Sequence, residues 1–161
     1  MGSSPLPSPT IVVAFKKFST DPKQPVMTGV QISDYGLQQG QGMHGSFGRS
    51  NTFNFMAAMG PDFKNHFVDP APISNADIAP TIAKILGLDV PSNGKLNGRV
   101  LQEALAGGPS SLPSSHKIRI SMSSENSKTT ILMYQQLGEQ VYFDQACFKS
   151  APAKNSPGKC P

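Results

Sequence analysis

The residues best suited to chemistry in this chain of 161 amino acids are its three histidines. His44 stands out because it lies between glycines in Gly42-Met43-His44-Gly45-Ser46, inside a stretch that holds five glycines from 36 to 48. Glycine-rich loops allow unusual backbone angles and close approach to a ligand. A histidine in a loop is most often an ordinary surface residue, so the residues alone make metal ligation by His44 the minority interpretation.

The other reactive side chains have no partner at a useful spacing. His66 lies in the polar turn Lys64-Asn65-His66, and His116 follows a Ser/Pro-rich stretch, where we expect it to be solvated. Ser46 lies two positions from His44, a spacing at which side chains rarely face each other, and no third orienting residue is evident. This argues against a serine triad. The sequence contains no HExxH motif, no CxxC pair and no Walker loop.

Composition and charge narrow the class of protein. Glycine and proline number 15 each, 37% of the residues are hydrophobic and 15% are charged, which indicates a globular chain with many loops. The net charge is +4, but the basic residues are scattered and Lys16-Lys17 is their one adjacent pair. We therefore expect no nucleic-acid partner.

No apolar run approaches the ~18 residues needed to span a bilayer, so we also expect no membrane partner. The first nine residues lack the features of a signal peptide, which leaves the localisation open.

One segment has the periodicity of an amphipathic helix. Ile78, Ile82, Ile85 and Leu86 share one face, which predicts a helix over Asp77–Leu86 whose isoleucines pack in the core. Proline at position 80 is tolerated in the first turn, and glycine at position 87 suits the position after the helix. Ser74, Asn75 or Asp77 could cap the first turn.

Short apolar runs predict strands around this helix, and the alternation favours an α/β class. The segment from 36 to 48 is expected to be a loop, and 16–25 to be polar and turn-prone. The predicted strands are Thr10–Phe15, Val26–Ile32, Phe53–Met59, Lys117–Met122, Thr129–Gln136 and Gln140–Phe143, and a second short helix is predicted over Val100–Ala106.

Three motifs in this order resemble one known family. They are Gly42-Met43-His44-Gly45-Ser46, Ala58-Met59-Gly60-Pro61-Asp62-Phe63 and Ser74-Asn75-Ala76-Asp77-Ile78-Ala79-Pro80-Thr81. Together they resemble the C-terminal part of bacterial type I phosphodiesterase/nucleotide pyrophosphatase-like proteins of the alkaline phosphatase superfamily. The similarity covers nearly half of the chain, and the hairpin over 129–143 resembles the end of these proteins more loosely.

The resemblance implies a fold and a metal site. Its fold is a three-layer sandwich of a mixed, largely parallel sheet between helices, with two zinc ions at the strand ends and a terminal β-hairpin. The last His-Gly of the family supplies one zinc ligand and corresponds to His44, whose flanking glycines let the backbone approach the metal. Of the carboxylates Asp62, Asp69 and Asp77, the last corresponds to a helix start, which favours capping over ligation.

The residue pattern and the resemblance together give an expected order of segments along the chain. The expected boundaries are an extended leader over 1–9, the C-terminal part of the alkaline-phosphatase-like domain over 10–108, a Ser/Pro linker over 109–116, strands with the terminal hairpin over 117–148, and a flexible tail over 149–161.

The family's catalytic machinery is largely missing. Its Thr or Ser nucleophile and most Asp and His ligands precede the position of His44, whereas here Asp21 and Asp34 are the aspartates before it and no histidine precedes it. One imidazole does not complete a zinc site of three or four ligands. We therefore expect a fragment that is inactive alone, with no catalytic residue of its own. In the intact enzyme it would act on a phosphodiester or nucleotide substrate, together with a complementary N-terminal segment.

Two alternatives stay open. The chain could instead be a non-catalytic binding or structural module derived from the same fold. Cys147 and Cys160, 13 positions apart, could form a disulfide in an oxidising compartment or remain two free thiols.

Overall fold

The computed structural model describes residues 17–24, 26–31, 36, 38, 41, 48–91, 98–122 and 128–150. These residues form helices and strands with two small antiparallel sheets, which is compatible with the predicted α/β class. The strands are β1 (Lys17–Ser19), β2 (Gly29–Gln31), β3 (Ser115–Met122), β4 (Lys128–Leu137) and β5 (Gln140–Ser150), and the helices are α1 (Arg49–Thr52) and α2 (Ile78–Ile85), with 3₁₀ turns at Asn75–Asp77 and Gln102–Ala104.

The chain divides into two compact units. Among the described residues, the first unit comprises those between 56 and 115 together with 136–142, and the second comprises those between 17 and 55 together with 116–135 and 143–150. The segment boundaries expected from the sequence remain predictions.

The second unit contains a small antiparallel sheet made by β1 and β2. Phe18 pairs with Val30 at its centre, and the Ser19 and Thr28 hydroxyls are hydrogen-bonded at 2.7 Å beside the connecting turn. The strand predicted over Val26–Ile32 is therefore confirmed for its section from 29 to 31. The polar segment predicted to be turn-prone contains β1, because pairing with β2 gives Lys17–Ser19 its extended conformation.

The larger sheet has the strand order β3-β4-β5, with β4 in the centre. The three strands predicted in this part of the chain are confirmed, and β5 continues seven residues beyond its predicted end at Phe143. The central position of β4 explains why Ile131 is only 1% exposed. Between β4 and β5 the chain turns at Gly138, whose φ of 57° suits a residue without a Cβ atom.

The predicted helix is confirmed as α2, together with its caps. The Ser74 side chain accepts the N–H of Ala76, while the Asp77 side chain accepts the N–H of Ser74, which forms a capping box. Pro80 lies in the first turn of α2, and Gly87 follows the helix with a φ of 64°. Capping by Asp77, which the sequence favoured, is thereby confirmed.

The predicted packing of α2 is wrong for two of its isoleucines. Ile78 is 40% exposed and Ile82 is 48% exposed, and Leu86 beyond the helix is 62% exposed, whereas Ile85 is partly buried. Among the described residues of the first unit, the buried apolar side chains are Ala71, Pro72 and Leu101. Among the residues that the structure describes, too little apolar surface therefore lies around the apolar face of α2 to cover it.

Two further predictions are corrected. Residues 53–59, predicted as a strand, have no regular structure, because no strand in the described part of the chain pairs with them. The helix predicted over Val100–Ala106 is reduced to the 3₁₀ turn Gln102–Ala104, since Leu105 is extended and forms an antiparallel bridge with Phe63. The predicted strand Thr10–Phe15 and most of the glycine-rich segment lie outside the described residues. None of the described helices is long and apolar enough to cross a membrane.

Candidate functional site

A group of buried and half-buried polar side chains lies at the start of α2 in the first unit. We call it the Arg99 cluster, and it consists of Asp69, Asp77, Arg99, Glu103 and Tyr142. Asp77 and Glu103 are almost completely buried, with exposures of 1% and 0%. Charged residues are almost never fully buried unless they are paired, so the partners of each group decide what the cluster can do.

Asp77 connects the start of α2 to a distant segment of the chain. One carboxylate oxygen, Oδ1, accepts the backbone N–H of Arg99 at 2.8 Å. The other, Oδ2, accepts the backbone N–H of Ser74 at 2.8 Å and the hydroxyl of Tyr142 at 3.3 Å. Both oxygens are thus occupied by donors of the chain itself.

The approach of Arg99 to α2 depends on the glycine before it. A Cβ atom at Gly98 would lie 1.9 Å from the carbonyl oxygen of Ala76, a distance that no side chain can occupy. Thr81 adds a second connection, because its hydroxyl donates to the Asp77 carbonyl at 2.6 Å and accepts the N–H of Leu101 at 3.0 Å. The close contact between the two segments is therefore specified by a glycine and by backbone hydrogen bonds.

The Arg99 guanidinium uses its full set of N–H donors within the first unit. Two go to Glu103, from Nη1 to Oε2 at 2.9 Å and from Nη2 to Oε1 at 2.5 Å, in a bidentate ion pair. Nε donates to the Tyr142 hydroxyl at 2.9 Å, and the remaining donors reach the carbonyls of Pro72 and Val100. An arginine carries five donors, so no donor is left to bind an anionic ligand.

The pKa values of Arg99 and Glu103 move in the directions that stabilise both charges. Burial opposes charge on each group, but the hydrogen bonds between them prevail. They lower the pKa of Glu103 below its usual value of 4.5 and, with Tyr142, raise the pKa of Arg99 above its own. Burial also raises the pKa of Tyr142, so its hydroxyl stays protonated as the donor that Asp77 requires.

Asp69 is the least satisfied member of the cluster. Its Oδ1 accepts the N–H of Ala71 at 2.9 Å, but its buried Oδ2 has no donor partner. Burial and the neighbouring Glu103 carboxylate raise the pKa of Asp69 above its usual value of 3.8. Asp69 was one of the carboxylates with ligand chemistry in the sequence, and the structure places it beside another carboxylate and an arginine.

A concave region of about 500 Å³ lies elsewhere in the first unit. It is lined by Ala58–Pro61 and by residues 63–66, which include all of the second motif singled out in the sequence except Asp62. His66 has a φ of 53°, an uncommon backbone conformation for a residue with a side chain. Lys64 is already engaged, since its Nζ donates to the carbonyl of Pro109 at 2.5 Å and lies 4.8 Å from the centre of the Phe67 ring. This cation is therefore held by the protein.

The second unit has a polar group of its own around Asp144. Gln135 donates to Asp144 Oδ1 at 2.8 Å, Arg49 lies 3.6 Å from the same oxygen, and His116 Nδ1 lies 3.9 Å from Oδ2. The His116 side chain is 78% exposed, which confirms that it is solvated. At 3.9 Å, His116 and Asp144 are too far apart for a hydrogen bond that would orient the imidazole.

The predicted zinc ligand His44 lies outside the described residues, so its position stays a prediction. Within the described ranges, no group of three or more His, Cys, Asp or Glu side chains is arranged to hold a metal ion. Cys147 is disulfide-bonded, and Cys160, the other cysteine of the chain, lies outside the described residues.

The sequence interpretation missed most of the Arg99 cluster. Two local signals were present, because Ser74 and Asp77 have the spacing of a capping box and Arg99 and Glu103 are four positions apart. The parts played by Asp69 and Tyr142 depend on contacts between distant positions, which no local pattern contains.

Comparison of the chain with protein-family models, with curated proteins and with solved structures gives no match.

Proposed function

We propose that this chain is the C-terminal part of a zinc-dependent phosphodiesterase or nucleotide pyrophosphatase with an alkaline-phosphatase-like sandwich fold. In this proposal it is inactive alone. The intact enzyme cleaves a phosphodiester or nucleotide substrate, and a complementary N-terminal segment supplies the nucleophile and the remaining metal ligands. The proposal rests on the three motifs of the sequence and on one structural observation, the exposed apolar face of α2.

That observation supports a missing partner surface. Ile78, Ile82 and Leu86 are each at least 40% exposed, although they recur at the spacing of a buried helix face. Covering such side chains contributes roughly 25 cal/mol per Å² of apolar area removed from water. A helix that packs against the sheet of a larger domain would bury this face, and the complementary segment is the proposed source of that sheet.

His44 is the residue of this chain proposed to bind zinc in the completed site. A neutral imidazole is a suitable zinc ligand, and further protein ligands are needed to reach three or four. Zinc would stabilise the attacking and leaving oxygens of the substrate phosphate. Because the nucleophile and the other ligands belong to the complementary segment, the chain alone has neither a complete site nor a group that attacks phosphorus.

The decisive experiment begins with the coding sequence upstream of Met1. The proposal expects a segment with a Thr or Ser nucleophile and Asp and His ligands, continuous with this chain or separated from it by a frameshift. An upstream region without such a segment would overturn the proposal. Where the segment is present, it is produced together with this chain, and hydrolysis of bis(p-nitrophenyl) phosphate is measured with zinc added.

The assay then tests His44 directly. We expect no hydrolysis by the chain alone, hydrolysis by the reconstituted protein, and a loss of at least about tenfold in activity and zinc affinity with His44→Ala. His116→Ala is the matched control, because His116 is exposed and lies outside the three motifs. Equal effects of the two substitutions would show that His44 is not a ligand.

The second candidate function is a non-catalytic binding or structural module. It is favoured by the Arg99 cluster, whose charged groups Asp77, Arg99 and Glu103 find their partners within this chain. A module of this kind should unfold cooperatively as a monomer, whereas a fragment should associate or unfold without cooperativity. Sedimentation and urea unfolding of the purified chain therefore distinguish the two candidates.

A further inference from the structure

The Oδ2 atom of Asp69 has no hydrogen-bond donor among the described residues. It is buried, and a buried polar atom left unpaired destabilises the folded state, all the more when it is charged. The carboxyl group near enough to raise the pKa of Asp69 is that of Glu103, which is completely buried and can only accept hydrogen bonds when it is ionised. Two ionised carboxylates in contact cannot satisfy each other.

The neighbouring cation, Arg99, does not donate a hydrogen bond to Asp69. Arg99 directs its five donors to Glu103, Tyr142, Pro72 and Val100, and none of them reaches Asp69. With all carboxylates ionised, Asp69, Asp77 and Glu103 would face the single positive charge of Arg99. One proton on Asp69 removes a charge and turns Oδ2 into a donor to Glu103.

We propose that Asp69 and Glu103 share one proton and form a pH-sensitive latch that holds residues 69–72 against residues 99–103. Arg99 joins the same two segments by donating to the Pro72 carbonyl at 3.1 Å. Loss of the shared proton leaves two adjacent buried carboxylates that repel each other, and the latch then opens. The latch operates within the first unit and does not depend on the proposed catalytic role of the chain.

The direction of the pH dependence follows from proton linkage. The pKa of Asp69 is raised above 3.8 in the folded chain, so the folded state binds more protons than the unfolded state between the two values. Its contribution to stability is full below pH 3.8 and is lost as the pH rises through the folded pKa. Glu103 acts in the opposite sense, because its lowered pKa gives stability that is lost as the pH falls below 4.5.

The test measures the proton and its effect on stability in the full chain. Carbon-13 NMR with labelled aspartate follows the titration of the Asp69 carboxyl group, and urea unfolding is measured at pH values on both sides of that titration. We expect Asp69 to titrate above 3.8 and the unfolding midpoint, compared with that of Asp69→Asn, to fall as the pH rises through that point. Titration of Asp69 at or below 3.8 would overturn the latch.

Two variants separate the shared proton from general effects of burial. Asp69→Asn places a permanent amide donor opposite Glu103, so the variant should fold at all these pH values and lose this part of the pH dependence. Glu103→Gln supplies a donor to ionised Asp69, so the Asp69 titration should move to lower pH. An unchanged Asp69 titration in Glu103→Gln would refute the proposal even if Asp69→Asn fails to fold. Asp62→Asn, at an exposed aspartate of the same unit, is the control.

Discussion

Asp77 Oδ1 accepts the backbone N–H of Arg99 at 2.8 Å, across 22 positions of the sequence. The same carboxylate caps the start of α2 through the N–H of Ser74. One side chain therefore both begins the helix and fixes the segment that carries the arginine. This double role explains why a charged group is tolerated at 1% exposure.

Replacement of Asp77 should destabilise the first unit strongly. Asp77→Ala leaves the buried N–H of Arg99 and that of Ser74 without acceptors, and we expect a loss of about 3 kcal/mol in the free energy of unfolding. Asp77→Asn keeps one acceptor oxygen and should lose roughly half as much. Urea unfolding measures both, with exposed Asp89→Ala as the control. Equal stability of Asp77→Ala and Asp89→Ala would contradict the role given to Asp77.

The ion pair between Arg99 and Glu103 should behave as one unit. Their side chains are 12% and 0% exposed, and removal of one partner from a buried pair typically costs about 3–5 kcal/mol, because the other charge stays buried and unpaired. We expect Arg99→Met and Glu103→Met each to cost this much, and the double variant to cost clearly less than their sum. A double-mutant cycle from urea unfolding gives the coupling energy. Additive losses would show that the two charges are not coupled.

The sequence and the structure agree where one element determines its own conformation. The spacing of Ile78, Ile82 and Ile85 was sufficient to predict α2, and Ser74 with Asp77 was sufficient to predict its cap. The burial of the isoleucines was not predictable in this way, because periodicity identifies an apolar face and says nothing about the surface that covers it.

The candidate site shows the same division between local and distant contacts. The four-residue spacing of Arg99 and Glu103 was visible in the sequence, whereas Tyr142 joins Asp77 across 65 positions and Arg99 across 43. The shortage of donors around Asp69 depends on the partners of every Arg99 donor, which no sequence pattern contains. A buried polar cluster of this kind has no signature in the sequence, because its members share neither a motif nor a period.

Two alanine substitutions should separate the exposed helix face from the small core of the first unit. Leu101 is 7% exposed, and we expect Leu101→Ala to cost about 2–5 kcal/mol through lost burial and the cavity that it leaves. Ile82→Ala, at a side chain that is half exposed, should cost less than about 1 kcal/mol. Thermal or urea unfolding of the purified chain compares them. A loss at Ile82 as large as that at Leu101 would mean that the helix face is covered in solution.

The left-handed backbone of His66 predicts which of two substitutions at this position gives the more stable protein. At a φ of 53°, a residue with a Cβ atom is less favourable than glycine by roughly 1–2 kcal/mol. His66→Gly should therefore be more stable than His66→Ala, although both remove the same imidazole. His116 lies in β3, where glycine weakens a strand, so His116→Ala should be more stable than His116→Gly. Urea unfolding of the four variants tests this reversal, and the same order at both positions would show that His66 is not held in the left-handed conformation.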